Sequence, residues 1–220
     1  MKKSTCCICS QIEGNAHNDL VAQLVGSDKY IRRVLLESES FAVIPSIGPL
    51  VEGHVLLSPK KHFKSFAQMA TEFEQEFAII KKRLSAILTR TYEQRIHYFE
   101  HGSAKKALQP MCTVEHAHLH FVPTNAEIWP DIQHQFDWQP IEKNIRNLAA
   151  FVGDMEYIWY ESPEGLSVVA KGIEATFESQ YLRKIFAKAV GLDELWNWRE
   201  FPRVTMISDT YARIQRAVVS

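Results

Sequence analysis

Residues 115–120, EHAHLH, set His116, His118 and His120 at every second position of a chain that contains nine histidines. Side chains on a strand alternate between faces, so sequence neighbours on one face stand about 6.5–7 Å apart. The spacing therefore predicts a strand over about 113–122 with three imidazoles on one side and Ala117, Leu119 and Phe121 left for a core. Three chemistries fit such a row. The plainest is a solvated, histidine-rich strand. A second is a three-histidine catalytic zinc site, although same-face neighbours on one flat strand converge on a single ion only with distortion. The third is nucleophilic attack on phosphorus. Imidazole, with an ordinary pKa of about 6.5, is available unprotonated near neutral pH. A central ring attacks while a hydrogen bond to its other nitrogen fixes the tautomer. The flanking groups, His116 and His120, supply donors for the charge on the phosphoryl oxygens.

A second cluster opens the chain. The N-terminus reads MKKSTCCICS, and the four cysteines are Cys6, Cys7, Cys9 and Cys112. In a reducing compartment three thiols so close together argue for metal or redox chemistry more than for disulfides. Cys6-x-x-Cys9 has the spacing of a two-ligand half-site; Cys7 falls outside that spacing, and Cys112 reads as a buried thiol. The alternative is a set of reduced surface thiols near a frayed terminus.

These residues need elements to hold them. Residues 31–45 (IRRVLLESESFAVIP) read as two short strands around a Ser/Glu turn. A loop punctuated by Gly48, Pro49 and Gly53 leads into a buried strand over 54–57. Thr71 and Glu74 form a capping-box signature, followed by Phe73, Phe77, Ile80, Leu84 and Leu88 at helical spacing, which predicts an amphipathic helix over about 71–92. RIHYFE (95–100) reads as a strand ending at His101-Gly102. Past Pro123, residues 125–140 look like a turn-rich connector. A hairpin is expected from 155–160 and 166–170, a helix over 174–190 stopped by Gly191, and a short helix after Ser208. Hairpins outnumber βαβ units, so the expected class is α+β on a largely antiparallel sheet.

Several motifs in this order carry a resemblance. HAHLHFV (116–122) is similar to the His-φ-His-φ-His-φ-φ signature of the histidine-triad (HIT) superfamily, where φ is apolar. It is preceded by C-x-x-C, FAVIP, GHVLLSPKKH and the long helix, and the likeness spans about residues 5–123. It implies a HIT fold over 1–125, with 126–220 as a C-terminal α/β extension packed on it. The extension resembles that of a group of bacterial HIT proteins. The resemblance also implies nucleotide hydrolysis or nucleotidyl transfer at the α-phosphate of a nucleotide conjugate, such as a dinucleoside polyphosphate or nucleoside phosphoramidate. His118 would form a covalent nucleotidyl intermediate, His120 would bind phosphate oxygens, and Thr113 would contact phosphate or leaving group. In some related branches the cysteine pair joins two histidines, which here are His62 and His116, as a structural zinc site. No organic cofactor is expected. A homodimer through the helix and a sheet edge is the arrangement common in small members, unless the extension covers that edge.

The sequence also departs from the family pattern. Met111-Cys112-Thr113 replaces a common Gly-Gln-Ser, and Glu100-His101-Gly102 replaces an asparagine-rich strand end. A carboxylate there would repel an anionic substrate unless turned away. Those departures, with the long extension, keep open a non-catalytic nucleotide- or RNA-binding adaptor.

Other residues divide between function and packing. His54 reads as a base or ribose contact or as a histidine packed beneath the site. His101 is a candidate phosphate contact or a solvated turn residue. Lys60, Lys61, Lys105 and Lys106 suit phosphates or simply water. Phe41, Ile44 and Leu50 suit a base pocket or a core. Gln180, Arg183 and Lys184 share a helical face and either reach the cleft or face solvent; Trp196 and Trp198 read as core or interface.

Length and composition frame all of this. A chain of 220 residues with 46% hydrophobic and 23% charged residues suits a globular protein. The formal net charge of −1 gives no general attraction to nucleic acid or anionic membrane, so any anion site is local. No signal-peptide h-region or run of 18 apolar residues is present, and a cytoplasmic location is the default.

Overall fold

The computed structural model describes residues 6–25, 33–103, 114–172 and 177–219. Its strands are β1 (Leu36–Glu37), β2 (Phe41–Pro45), β3 (Val55–Pro59), β4 (Ile96–Gly102), β5 (Leu119–Pro123), β6 (Gln139–Pro140), β7 (Glu156–Glu161) and β8 (Ser167–Gly172). They form one sheet in the order β1-β2-β3-β5-β4-β7-β8-β6, antiparallel at every pairing. The helices are α1 (Cys7–Glu13), α2 (Leu20–Val25), α3 (Glu74–Tyr92), α4 (Trp129–Ile132), α5 (Ile145–Val152), α6 (Tyr181–Ala189) and α7 (Val204–Val219). The α+β class read from the sequence is the class observed.

Sequence pattern and burial agree along α3. Phe77, Ile80, Leu84 and Leu88 are buried with Ile87, and Phe73 packs at the rim. Each such side chain contributes roughly 1.5–3 kcal/mol when fully buried. The capping box does not form. Residues Thr71–Phe73 make a 3-10 turn without a side-chain cap. The Glu74 carboxylate instead accepts the N–H groups of Ile145 (2.7 Å) and Arg146 (3.1 Å). A carboxylate gains more from two orphan amides at a second helix's N-terminus than from one local bond.

β2 and β3 are buried along their whole length because helices and loops cover both faces. Phe41 packs with Phe66 and Phe77 under α3, whereas Ile44 belongs to a small cluster with Cys6, Ile8, Cys9 and Ile12 of the N-terminal segment. That segment is helical rather than frayed: Ile8, Cys9 and Ile12 of α1 are buried, and Gly14 at φ 77 supplies its left-handed C-cap.

Beyond residue 126 the chain extends the same sheet. The expected connector contains α4 and β6, and the expected hairpin is β7–β8. β7 lies along β4, pairing Phe99 with Tyr160 and His101 with Ile158. The C-terminal helix is longer than expected because Ile207, Thr210 and Ile214, buried at helical spacing, carry it back to Val204. It packs against α3. Residues 174–176 of the helix expected over 174–190 lie outside the described residues; α6 covers Tyr181–Ala189, and Gly191 at φ 73 follows its end. The loop after β2 is clasped by the C-terminal region. Arg203 donates to the Pro49 and Leu50 carbonyls (2.7 and 3.1 Å). A Cβ on Gly48 would stand 2.6 Å from the Trp198 backbone, and its φ of 58 is one that glycine adopts readily.

Candidate active site

The histidine row is not carried by one strand, which corrects the expected strand over 113–122. β5 begins at Leu119, and His120 pairs with Leu56 and Phe99. Residues 114–118 leave the ladder because other partners take their backbone: Ala117 N–H donates to the Phe63 carbonyl (2.7 Å), and the Ser58 hydroxyl donates to the Ala117 carbonyl (2.7 Å). Ala117, Leu119 and Phe121 nonetheless enter the core as expected. His116 is turned to the cysteines, while the rings of His118 and His120 stay together, centroids 5.0 Å apart.

His118 and His120 line a cavity that also includes Phe99, His101 and Arg183, and hydrogen bonds fix the roles of the first two. Nδ1–H of His118 donates to the His116 carbonyl at 2.5 Å, which leaves Nε2 with a bare lone pair. Burial, the main cause, lowers its pKa to about 4 against the supporting bond to that carbonyl, favouring the neutral ring. His120 is set by a relay. The Leu50 N–H donates to Nδ1 of His54 (3.1 Å), so the proton of neutral His54 sits on Nε2 and donates to Nδ1 of His120 (2.8 Å). His120 then carries its own proton on Nε2. Burial holds both pKa values well below the usual histidine range. Phe99 stacks under His120, centroids 4.1 Å apart and planes 10° from parallel. Two adjacent neutral imidazoles thus offer opposite chemistry, one an acceptor and one a donor. His54 is packed beneath the site, held by two bonds.

His101 faces the same cavity and is held by Glu156 of β7, Nε2 to Oε1 2.7 Å. Its neighbour Glu100 points the other way, as strand alternation requires. Glu100 accepts the Phe66 N–H (3.0 Å) and the Tyr157 hydroxyl. Burial raises its pKa to about 8 in spite of those bonds. The carboxylate that would have repelled an anion is turned away.

The other cluster gathers Cys6, Cys9, His62 and His116, whose ligand atoms all lie within 4.8 Å of one another. His116 Nδ1 is 3.3 Å from Cys6 Sγ and 3.4 Å from Cys9 Sγ, and His62 Nδ1 is 3.4 Å from Cys9 Sγ. Tetrahedral zinc with Zn–S about 2.3 Å and Zn–N about 2.05 Å places such atoms about 3.5 Å apart. Nε2–H of His116 donates to the Pro59 carbonyl (2.8 Å), leaving Nδ1 free to ligate, an outer-shell bond of the kind that metal-binding histidines use. A bond from Cys9 is the largest of the effects that lower the Cys6 pKa to about 3, against burial and with help from His116. Burial lifts Cys7 to about 11. The donor set fits a closed, four-coordinate ion.

Of the residues singled out from the sequence, His118, His120 and His101 come together at the cavity, and Cys6, Cys9, His62 and His116 at the cluster. His116 is engaged with the thiols and does not line the cavity. Thr113, with Met111, Cys112, Lys105 and Lys106, lies outside the described residues. Ile44 lines the cavity, whereas Phe41 and Leu50 are core. Gln180 and Arg183 reach the cavity; Lys184 pairs with Glu178 and lies over Trp196. Cys7, Ile8 and Gln11 of α1 and Ile158 of β7 also line it, and no local signal marked them, because α1 and β7 reach the cavity only through tertiary packing.

The family model described as HIT domain matches residues 29–127. No curated protein matches the chain. Similar solved structures include a hypothetical histidine triad nucleotide-binding protein from Sulfolobus tokodaii (24% identity, covering 47% of this chain and 67% of that one, TM-score 0.37). A HIT family protein from Bacillus anthracis is 20% identical, covering 66% and 93%, TM-score 0.42. A Zn-bound histidine triad family protein from Mycobacterium smegmatis is 25% identical, covering 50% and 78%, TM-score 0.37. With the HAHLHFV signature inside the matched span, residues 29–127 are a HIT domain.

Proposed function

We propose that this protein is a nucleotide hydrolase or nucleotidyltransferase acting at the α-phosphate of a nucleotide conjugate through a covalent intermediate on His118. The observation that supports this most directly is the pair of fixed tautomers: Nδ1–H of His118 held by the His116 carbonyl, beside His120 held as an Nε2–H donor by the His54 relay. The Nε2 lone pair of His118 forms a P–N bond as the bond from phosphorus to the leaving group breaks, and the leaving group departs with that electron pair. His120 Nε2–H donates to a phosphoryl oxygen as charge gathers there. An acceptor such as water then forms a new P–O bond and releases its proton to solvent, the P–N bond breaks, and the electron pair returns to Nε2. His101, held by Glu156, is a further phosphate contact.

Cys6, Cys9, His62 and His116 would hold zinc. A closed Cys2His2 site supplies structure rather than a reactive position; bound there, it would fasten α1 to the segment that carries His118. Residues 126–220 serve as an extension whose strands complete the sheet beside β4. Since β7 occupies the outer edge of β4 and α7 covers α3, a homodimer would need other surfaces. No helix among the described residues is long and apolar enough to cross a membrane.

The test is covalent trapping. Mixed with a panel of adenylylated and guanylylated compounds, the wild-type chain should gain one nucleotidyl mass, mapped to His118 and absent from His118→Ala. Reversible AMP binding with no covalent species on any compound would favour the adaptor and sink the enzyme.

A further inference from the structure

One wall of the cavity comes from beyond the HIT domain. Ser179, Gln180, Tyr181, Leu182 and Arg183, at the start of α6, all line it. Among the described residues that line the cavity, Arg183 is the only one with a permanent charge, and none is Asp or Glu. The side chain is buried, 4% exposed. Nε donates to the Trp196 carbonyl (3.0 Å) and Nη2 to the Gly48 carbonyl (2.5 Å). Both partners are neutral, and no carboxylate among the described residues pairs with the guanidinium. Nη1 remains a donor without an acceptor there. Burial draws the group down to about 10, so it stays charged near neutral pH, and an unpaired charge in such a place is costly unless an anion joins it.

The backbone adds donors to the same wall. No side chain caps α6, and Gln180 at its N-cap sits at φ 60. The N–H groups of Tyr181 and Lys184 bond to the Glu178 and Gln180 carbonyls, which leaves those of Leu182 and Arg183 as the uncapped amides of the first turn. A helix start with free amides and a partial positive charge is suited to a phosphate.

We propose that Arg183 and the first turn of α6 form the seat for the anionic phosphoryl group that His118 attacks, so the extension supplies the positive half of the site. The inference rests on the nucleotide reading above and assigns a substrate-binding residue that lies outside the HIT domain. A planar guanidinium anchored by two carbonyls presents its remaining donors in a fixed direction, as recognition of phosphate requires.

Ligand charge separates this role from a merely structural one. Calorimetric affinities for AMP and adenosine are measured on wild type, Arg183→Gln and Arg183→Lys. Loss of a charge-assisted contact should weaken AMP binding by about 10- to 100-fold in Arg183→Gln and leave adenosine affinity unchanged, with Arg183→Lys in between. A structural role would weaken both ligands alike. A readout without any variant accompanies it: in the wild-type chain the backbone amide resonances of Leu182 and Arg183 should shift on adding AMP and not on adding adenosine. If wild type prefers AMP while Arg183→Gln keeps that preference, or if those amides stay still, the seat is elsewhere and the inference alone falls. If wild type binds neither AMP nor inorganic pyrophosphate, the nucleotide reading falls with it.

Discussion

Replacing Glu100 by glutamine should remove a pH dependence that the fold imposes. Glu100 is 1% exposed, its oxygens take the Phe66 N–H and the Tyr157 hydroxyl, and burial moves its pKa from 4.5 to about 8. A carboxyl whose folded pKa is raised favours the folded state while it is protonated. Its contribution is complete below 4.5 and is lost as pH rises through 8, because the unfolded chain releases the proton first. Three and a half pH units at 1.36 kcal/mol each make about 5 kcal/mol in all, of which about 4 kcal/mol falls between pH 5 and 8. Against a typical domain stability of roughly 5–15 kcal/mol that loss is large. The buried histidines act in the opposite sense: with folded pKa values lowered, they favour folding as pH rises. The wild-type profile alone therefore mixes signs, and the difference between wild type and Glu100→Gln isolates the one carboxyl. Glutamine keeps an acceptor for the Phe66 N–H and cannot ionise. Urea denaturation midpoints at pH 5, 6, 7 and 8 would measure it; the wild type should lose about 4 kcal/mol relative to the variant over that range. Parallel profiles for the two proteins would mean that Glu100 is ionised in its pocket, and the reasoning from burial would be wrong.

Two further outcomes follow from the site. His54→Phe removes the relay and leaves the Leu50 N–H and His120 Nδ1 unpaired, which should cost about 2–6 kcal/mol of stability. With its tautomer no longer fixed, His120 should lose turnover more than affinity, so kcat falls with KM little changed; a variant as stable and as active as wild type would dismiss the relay. For the cysteine-histidine cluster, elemental analysis of protein purified without a histidine tag should find a single equivalent of zinc, lost in Cys9→Ser together with several degrees of Tm; metal retained at full stoichiometry in that variant would place the ion elsewhere.

Much of this molecule is legible in the residues themselves. The period of Phe77, Ile80, Leu84 and Leu88 defines α3, and the motif order around FAVIP, GHVLLSPKKH and HAHLHFV carries the family, because local pattern dictates both. Where the chain contradicts its own local pattern, a distant partner has won. Glu74 leaves its capping box for α5, and His116 leaves the histidine row for Cys6 and Cys9. The carbonyl of Phe63 and the hydroxyl of Ser58 bend residues 114–118 out of the ladder. None of these partners is within 10 positions in sequence.

The sequence by itself determined which chemistry is on offer: imidazoles at alternate positions, a thiol pair, and the strands and long helix to carry them. Tertiary structure decided what each group does. It divided three alike histidines into a thiol-bound ring, a bare acceptor and a locked donor, turned Glu100 from the cavity, and brought Arg183 from the far part of the chain to face them. Spacing along a chain fixes only which side chains could share a face, whereas tautomer, charge and direction depend on partners that packing alone brings within hydrogen-bond reach.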